Sequence, residues 1–325
     1  MTSPHITECQ IFITRKCNLN CGYCNLTKKP LIKELTISEW QTAFTNLEKI
    51  GIKTVKILGG EPTIIQGLDK LIKFINENTS LKYALLSNSL FDQEQTQKLI
   101  QAKIQGYFAS LDGLADINNL DNQTTRKSQA GWQKLIELKN SGVKLLGANI
   151  VIHKQNLQNI PKMVKILSDN GIWTNLCLII HGQPNQWEYR TTIAEQYKFN
   201  HDDIAAINLI MKQLIKLKRQ GYKIAVPESY LANMAKYGID LNWKCKNLYQ
   251  LRLDADGALM ICNDIRGKLA EKYNILDLNE KKFAQFKTDW LVASERINCP
   301  GCYWSCFLHA QNNLKHNKLE FDYIN

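Results

Sequence analysis

Cys17, Cys21 and Cys24 stand within one short run, Cys17-Asn18-Leu19-Asn20-Cys21-Gly22-Tyr23-Cys24, directly after an apolar, β-rich segment at 10–14. Thiolates are soft metal ligands, and iron–sulfur clusters are usually held by four of them. No fourth cysteine lies close to these three in sequence. Three thiolates on a four-iron cluster leave one iron open, much as a catalytic zinc keeps a position free for its reactant. An open iron is a place for chemistry. The competing reading is a structural zinc knuckle completed by a distant His or Cys, against which the unpaired spacing of the triplet counts.

A second group, Cys245, Cys262, Cys299, Cys302 and Cys306, falls in the last quarter of the chain. Asp254-Ala255-Asp256-Gly257 reads as the turn of a hairpin with strands at 248–253 and 258–262. A cysteine at each base of that hairpin, with the Cys299-Pro300-Gly301-Cys302 pair after a helix at 280–294, brings four thiolates to one point. Four is a complete ligand set for a cluster, and a zinc ribbon is the competing reading. Cys9 and Cys177 lie in apolar strands and read as small core residues. Ten cysteines among 325 residues fall far short of the roughly 8–10% of a disulfide scaffold, and their clustering suits metal sites better than cross-links.

The elements that must carry these residues alternate. Strands at 10–14, 54–58, 82–86, 106–111, 144–152 and 172–180 are interleaved with helices at 38–51, 68–78, 92–102, 129–141 and 159–170. Such alternation implies βαβ units with right-handed crossovers and a parallel sheet. Six strands are too few for a closed eight-fold barrel, so an open, partial (β/α)6 barrel is expected, with its ligand site at the C-terminal strand ends. Residues 181–200 read as a connector. A helix follows at 201–220, with Asp202 and Asp203 at its positive end and Lys216, Lys218 and Arg219 at its negative end. The expected organisation is a barrel over 1–200, a helical connection over 201–240 and a small α+β domain over 241–325.

The CxxxCxxC triplet after a first strand, with the aromatic Tyr23 before the last cysteine, resembles the signature of the radical S-adenosylmethionine enzymes, over about residues 8–180. Gly59-Gly60-Glu61-Pro62, after the second strand, matches that family's GGEP segment, which meets the methionyl amino group of the cofactor. Taken alone, the two glycines allow close backbone approach and Glu61 supplies a carboxylate, or the segment is simply a tight turn. The resemblance further implies that Tyr23 lies near the adenine, that Ser87, Asn88, Ser110 and Asp112 lie near the ribose and methionyl group, and that Arg126 pairs with the methionyl carboxylate. Asn149 and His181 face the same way by position. The implied chemistry is one-electron cleavage of S-adenosylmethionine to a 5′-deoxyadenosyl radical that abstracts hydrogen from a substrate, with an external one-electron reductant.

The second cysteine group resembles the C-terminal auxiliary-cluster extension of the same family in its shortened, single-cluster form, called twitch, a relative of the longer SPASM extension. That implies a second [4Fe-4S] cluster on Cys245, Cys262, Cys299 and Cys302, with Cys306 as a substitute ligand or spare thiol. Sulfatase-maturating relatives place an Asp directly after the cysteine equivalent to Cys262. Here Asn263 stands there, and Asp264 one position on is the candidate base.

Composition bounds the partners. Lys and Arg number 41 against 30 Asp and Glu, for a formal net charge of +11, but the basic residues are scattered without an aromatic-interleaved stripe, so nucleic-acid binding is not expected. Neither a membrane span nor an N-terminal signal peptide is legible, which points to the cytoplasm. The resemblance favours a ribosomally made precursor peptide as substrate, with a separate peptide-recognition protein, since only sixteen residues precede Cys17. The alternatives are a twitch-type dehydrogenase or mutase acting on an aminosugar or nucleotide, and a non-catalytic iron–sulfur or zinc module.

Overall fold

The computed structural model describes residues 6–24, 26–28, 32–114, 122–179, 194–240 and 248–296, together with 305, 310, 312, 315, 316 and 321. Cys245, Cys299, Cys302, Cys306 and His181 lie outside the described residues.

The alternation unfolds as β1 (Glu8–Phe12), α1 (Ile37–Lys49), β2 (Thr54–Leu58), α2 (Leu68–Asn78), β3 (Lys82–Ser87), α3 (Gln93–Gln101), β4 (Gly106–Ser110), α4 (Asn122–Asn140), β5 (Leu145–Ile152), α5 (Ile160–Asp169) and β6 (Trp173–Leu178). Then come α6 (Ile204–Arg219), α7 (Glu228–Tyr237), β7 (Leu251–Leu253), the single turn α8 (Leu269–Lys272) and α9 (Glu280–Arg296). Among the described residues the strands form one parallel sheet in the order β6-β5-β4-β3-β2-β1-β7, curled into a half-barrel. From β1 to β6 each strand lies beside its predecessor, so every crossover steps the same way. Right-handed crossovers then put the helices that connect β1 to β6 on one face, opposite the concave one.

Side-chain alternation follows that split. Cys9, Ile11 and Ile13 point outward into the main core, shared with Trp40, Phe44 and Leu47 of α1 and Leu71, Ile72 and Ile75 of α2. Phe12 and Leu58, of opposite parity, pack on the concave side with Leu26 and Met260. Deeper in the same face, Ala84 and Phe108 meet Phe321. A Cβ on Gly147 would stand 2.2 Å from the Phe108 ring, so a bare backbone on β5 makes room for it.

The seventh strand is an addition to the expected six. β7 pairs in parallel with β1, Cys9 opposite Leu251 and Ile11 opposite Leu253, and so covers what would be an open sheet edge. It is at the same time the first arm of the expected hairpin: Asp254 N–H donates to Ala258 O at 3.0 Å, Met260 N–H to Arg252 O at 2.9 Å and Gly257 N–H to Asp254 O at 2.9 Å. Gly257 takes φ +78°, the left-handed position this turn requires. The C-terminal segment therefore begins inside the barrel sheet.

Two local readings change. Helix α1, expected from 38, starts one residue earlier and is capped by Thr36: Thr36 Oγ1 accepts from Glu39 N–H while the Glu39 carboxylate accepts from Thr36 N–H at 2.7 Å, a reciprocal capping box. Helix α7, absent from the sequence reading, is started by Pro227 and Glu228 and stopped at Gly238. Among the described residues no helix is long and apolar enough to cross a membrane.

Replacing Thr36 by Ala removes one side of the capping box. The expected loss is about 1 kcal/mol of unfolding free energy, read as a lower urea midpoint with unchanged slope.

Candidate functional site

The triplet sits on the loop leaving β1, at the C-terminal edge of the sheet, and the backbone just before it is held on two sides. Thr14 Oγ1 donates to the Glu34 carboxylate at 2.9 Å, and Arg15 N–H donates to Glu34 Oε1 at 2.8 Å. From β2, Gly60 N–H donates to Thr14 O and Glu61 N–H to Lys16 O, both at 2.8 Å. A Cβ on Gly59 would lie 2.5 Å from Thr14 O, and one on Gly60 2.0 Å from Lys16 O. The glycine pair thus lets two backbones touch, and the residue they clamp is the one before Cys17.

Cys17 and Cys21 are half-buried and Cys24 is exposed. Cys17 Sγ accepts from Leu19 N–H at 3.4 Å and lies 3.8 Å from Asn88 Nδ2. Burial pushes the Cys17 thiol up to about 11; the Leu19 N–H pulls it back, while Glu61, Cys24 and Cys21 add to the rise. A thiol raised in this way ionises readily only beside a cation, and three soft sulfur donors on one short loop fit an iron–sulfur cluster. Among the described residues no three His, Cys, Asp or Glu side chains converge tightly enough for one metal ion.

Glu61 is fully buried. Its Oε1 accepts from Thr63 N–H (3.1 Å), Thr63 Oγ1 (2.7 Å) and Ser87 Oγ (2.8 Å), and its Oε2 from Asn88 N–H (2.6 Å). Burial raises its carboxyl pKa against the pull of those donors. Instead of an open carboxylate, Glu61 is a clamp between the loops after β2 and β3, with Pro62 buried in the 3-10 turn beside it. Asn88 carries the clamp on to the cysteine loop through Asn18 Oδ1 at 2.7 Å.

A second strut rises from β4. Asp112, 1% exposed, accepts from the Tyr23 hydroxyl, from Lys127 Nζ at 2.5 Å and, on its other oxygen, from Val151 N–H at 3.1 Å. Burial alone would push the Asp112 carboxyl up, but Lys127, His153 and Tyr23 together hold it below the ordinary carboxylate value. Rings of His153 and Tyr197 pack around Tyr23 at centroid distances of 6.2 and 5.5 Å. Arg126 is exposed on α4, and the neighbouring Lys127 is the cation that turns inward. Lys127, His153 and Tyr197 escaped the sequence reading; the only local signal was that Lys127 directly follows Arg126.

On the concave face the strand register aligns Ser110 with Asn149 and Asn149 with Asn175. All three are half-buried, and Asn175 Nδ2 donates to Asn149 Oδ1 at 2.8 Å. Asn175 Oδ1 is buried and has no hydrogen-bond partner among the described residues. Cys177, two residues further on, shares this face and is half-buried, which corrects its reading as a core residue; Cys9, at 1% exposure, is one.

At the second cysteine group the described residues include Cys262 alone. Burial, with Asp264 adding to it, pushes its thiol up to about 12. Asp264 is 2% exposed, and its N–H donates to Cys262 Sγ at 3.3 Å. Asn263 turns under the sheet instead, accepting from Arg252 Nε and donating to Gln10 Oε1, both at 2.8 Å. Arg15 and Arg266 both bond the fully buried Asp254, tying the first cysteine loop to the hairpin that ends in Cys262.

Comparison with known proteins agrees with these features. The Radical SAM superfamily matches residues 11–186. The chain is 25% identical over 219 residues to Fe-coproporphyrin III synthase of Methanosarcina barkeri, covering 66% of this chain but only 53% of that protein. It is 24% identical over 270 residues to GTP 3',8-cyclase of Aquifex aeolicus (78% and 80%) and 30% identical over 165 residues to PqqA peptide cyclase of Bradyrhizobium diazoefficiens (48% and 42%). Among solved structures, Streptococcus suis SuiB bound to precursor peptide SuiA superposes with TM-score 0.65 at 16% identity, covering 90% of this chain and 66% of that one. The enzyme anSMEcpe with bound AdoMet and a peptide gives 0.62 at 17% (93% and 88%).

Gly60→Ala is expected to displace the Lys16 carbonyl and cut the iron retained per chain severalfold after anaerobic reconstitution, measured by iron and sulfide assay. Lys127→Met is expected to cost about 3 kcal/mol at neutral pH by stranding a buried carboxylate. Lys127 holds the folded Asp112 value down and burial alone raises it, so the stability gap should be full at neutral pH, begin to close as pH falls through the variant's raised folded value and finish closing as it falls through the depressed value of the wild type. Denaturant titrations at several pH values measure it.

Proposed function

The chain belongs to the Radical SAM superfamily, and from that premise we infer that it uses S-adenosylmethionine and a [4Fe-4S] cluster to abstract hydrogen from a precursor peptide, which it modifies. The observation that carries the catalytic half is the cysteine triplet, pinned by the Gly59–Gly60 contact at the C-terminal strand ends. When bound, cluster and cofactor supply one-electron chemistry on a carbon centre, and the protein supplies placement and dryness.

In this reading Cys17, Cys21 and Cys24 hold the cluster. Glu61, Ser87 and Asn88 act at one remove, fixing the loop and its neighbours, because their polar atoms are spent on each other. Tyr23 and Asp112 likewise brace the loop from the β4 side. Ser110, Asn149 and the exposed Arg126 are the groups left to meet the cofactor's polar atoms. Cys262, with Cys245, Cys299 and Cys302, forms an auxiliary [4Fe-4S] site in a C-terminal unit over 241–325, with Cys306 as a substitute ligand or spare thiol and Asp264 ready as a base. An external reductant and a separate recognition protein complete the scheme.

The peptide half is supported by the precursor peptide bound to SuiB, by the name of PqqA peptide cyclase and by the peptide bound to anSMEcpe. A second reading, cyclisation of a purine nucleotide, is favoured by one observation: the alignment with GTP 3',8-cyclase extends over 80% of that protein.

Anaerobic, reconstituted and reduced protein is expected to form 5′-deoxyadenosine from S-adenosylmethionine, and Cys21→Ala to form none. Peptides encoded beside the gene and GTP are then offered in parallel. A mass change in a peptide supports the first reading, and consumption of GTP overturns it in favour of the second.

A further inference from the structure

Among the described residues three other than glycine take a positive φ, and one of them, Ser89 at +67°, stands in the loop after β3 beside the cysteine loop. The left-handed region is unfavourable for an ordinary L residue, and such outliers persist where the surroundings hold them and a site needs that path of the chain. Ser89 is 1% exposed. Its N–H donates to Ser87 Oγ at 2.9 Å, and its hydroxyl shares a 2.6 Å hydrogen bond with the hydroxyl of Tyr107, a fully buried residue of β4. The residues on either side of it grip one side chain. Asn88 Nδ2 donates to Asn18 Oδ1 at 2.7 Å, and Asn18 Nδ2 donates to Leu90 O at 2.8 Å. Asn88 Oδ1 accepts from Leu90 N–H at 2.9 Å, so the loop folds back on itself with Ser89 at its apex. Asn18 is exposed, yet both ends of its amide are held from this one loop.

Asn18 directly follows Cys17, and the same Asn88 Nδ2 lies 3.8 Å from Cys17 Sγ. Gly59 and Gly60 thus clamp the chain before Cys17, and the Asn18 clasp holds it after. A right-handed or extended residue at 89 would send the chain another way and part Asn88 from Leu90. An N–H aimed at a ligating sulfur favours the more negative, reduced state of a cluster, and hydrogen bonds to sulfur are one of the levers on its potential. We propose that Ser89 is a positioning residue for the cluster: its left-handed turn makes Asn88 and Leu90 clasp Asn18, which fixes Cys17 and keeps Asn88 Nδ2 against its sulfur. This rests on the reading of the triplet as a cluster site given above.

The test is the reduction midpoint of that cluster in the anaerobically reconstituted full chain, followed by EPR, with iron per chain and unfolding midpoints measured alongside. The EPR signal that changes when S-adenosylmethionine is added marks the cluster with the open iron. Ser89→Ala loses the hydroxyl but keeps the cost of a positive φ, and is expected to shift the reduction midpoint to lower potential. Ser89→Gly takes that φ freely and is expected to keep the wild-type midpoint. Asn18→Ala is expected to shift it in the direction of Ser89→Ala, and the double variant to shift no further, because the turn acts through Asn18. A wild-type reduction midpoint in Ser89→Ala, with or without a lowered unfolding midpoint, makes the residue structural only and overturns the inference. So does a shift in Ser89→Gly as large as in Ser89→Ala, or shifts that add in the double variant. If Ser89→Ala does not fold, Asn18→Ala at its exposed position decides alone: a shift supports the inference and a wild-type midpoint overturns it. A wild-type chain that retains no iron overturns this inference and the reading beneath it together.

Discussion

The molecule turns on a place where two backbones touch without side chains between them. Gly59 and Gly60 bring the end of β2 against Thr14–Lys16, and the hydrogen bonds formed there hold the segment that delivers Cys17. Ligand geometry on a loop is only as good as the loop's anchor, and a rigid anchor lowers the ordering cost when a cluster binds. The glycines thereby serve the ligand site through the scaffold, at one remove from any ligand.

Three buried carboxylates extend that anchor in three directions. Glu61 joins the loop after β2 to the loop after β3, Asp112 joins Tyr23 to α4 and β5, and Asp254 joins Arg15 to the C-terminal hairpin. Burying each is costly, and each is compensated by several donors or by paired cations. Such arrangements add little net stability but specify one arrangement sharply, since breaking any single partner strands a charge. A loop that must present three sulfurs in a fixed pattern benefits from that kind of specificity. The Asp254 junction also links the two cysteine groups mechanically, and pairing of β7 with β1 places the second group's hairpin in the same sheet.

The concave wall is the complement of these clamps. Along it the half-buried polar row of Ser110, Asn149 and Asn175 alternates with side chains that turn outward into the helical layer. Relatives named for quite different molecules, a porphyrin that is made, a nucleotide and a peptide that are cyclised, match this chain. A common cofactor frame with a variable wall accounts for that breadth, because the frame depends on backbone contacts and buried pairs while the wall depends on single side chains.

By itself the sequence determined the cysteine triplet, the six alternating strands, the Asp-Gly hairpin turn and the glycine pair after the second strand. Each is a local pattern, set by side-chain period, turn chemistry or short spacing, and so is legible in a window of a few residues. Tertiary structure decided the rest: that β7 joins β1, that Lys127 and not Arg126 turns inward, that Glu61 is a clamp, that Asn175 meets Asn149 and that Cys177 faces the open side. The bond between Arg15 and Asp254 joins residues 239 apart in the chain. No local pattern encodes such a pairing, because it exists only once packing has brought both elements together and excluded water from the pair.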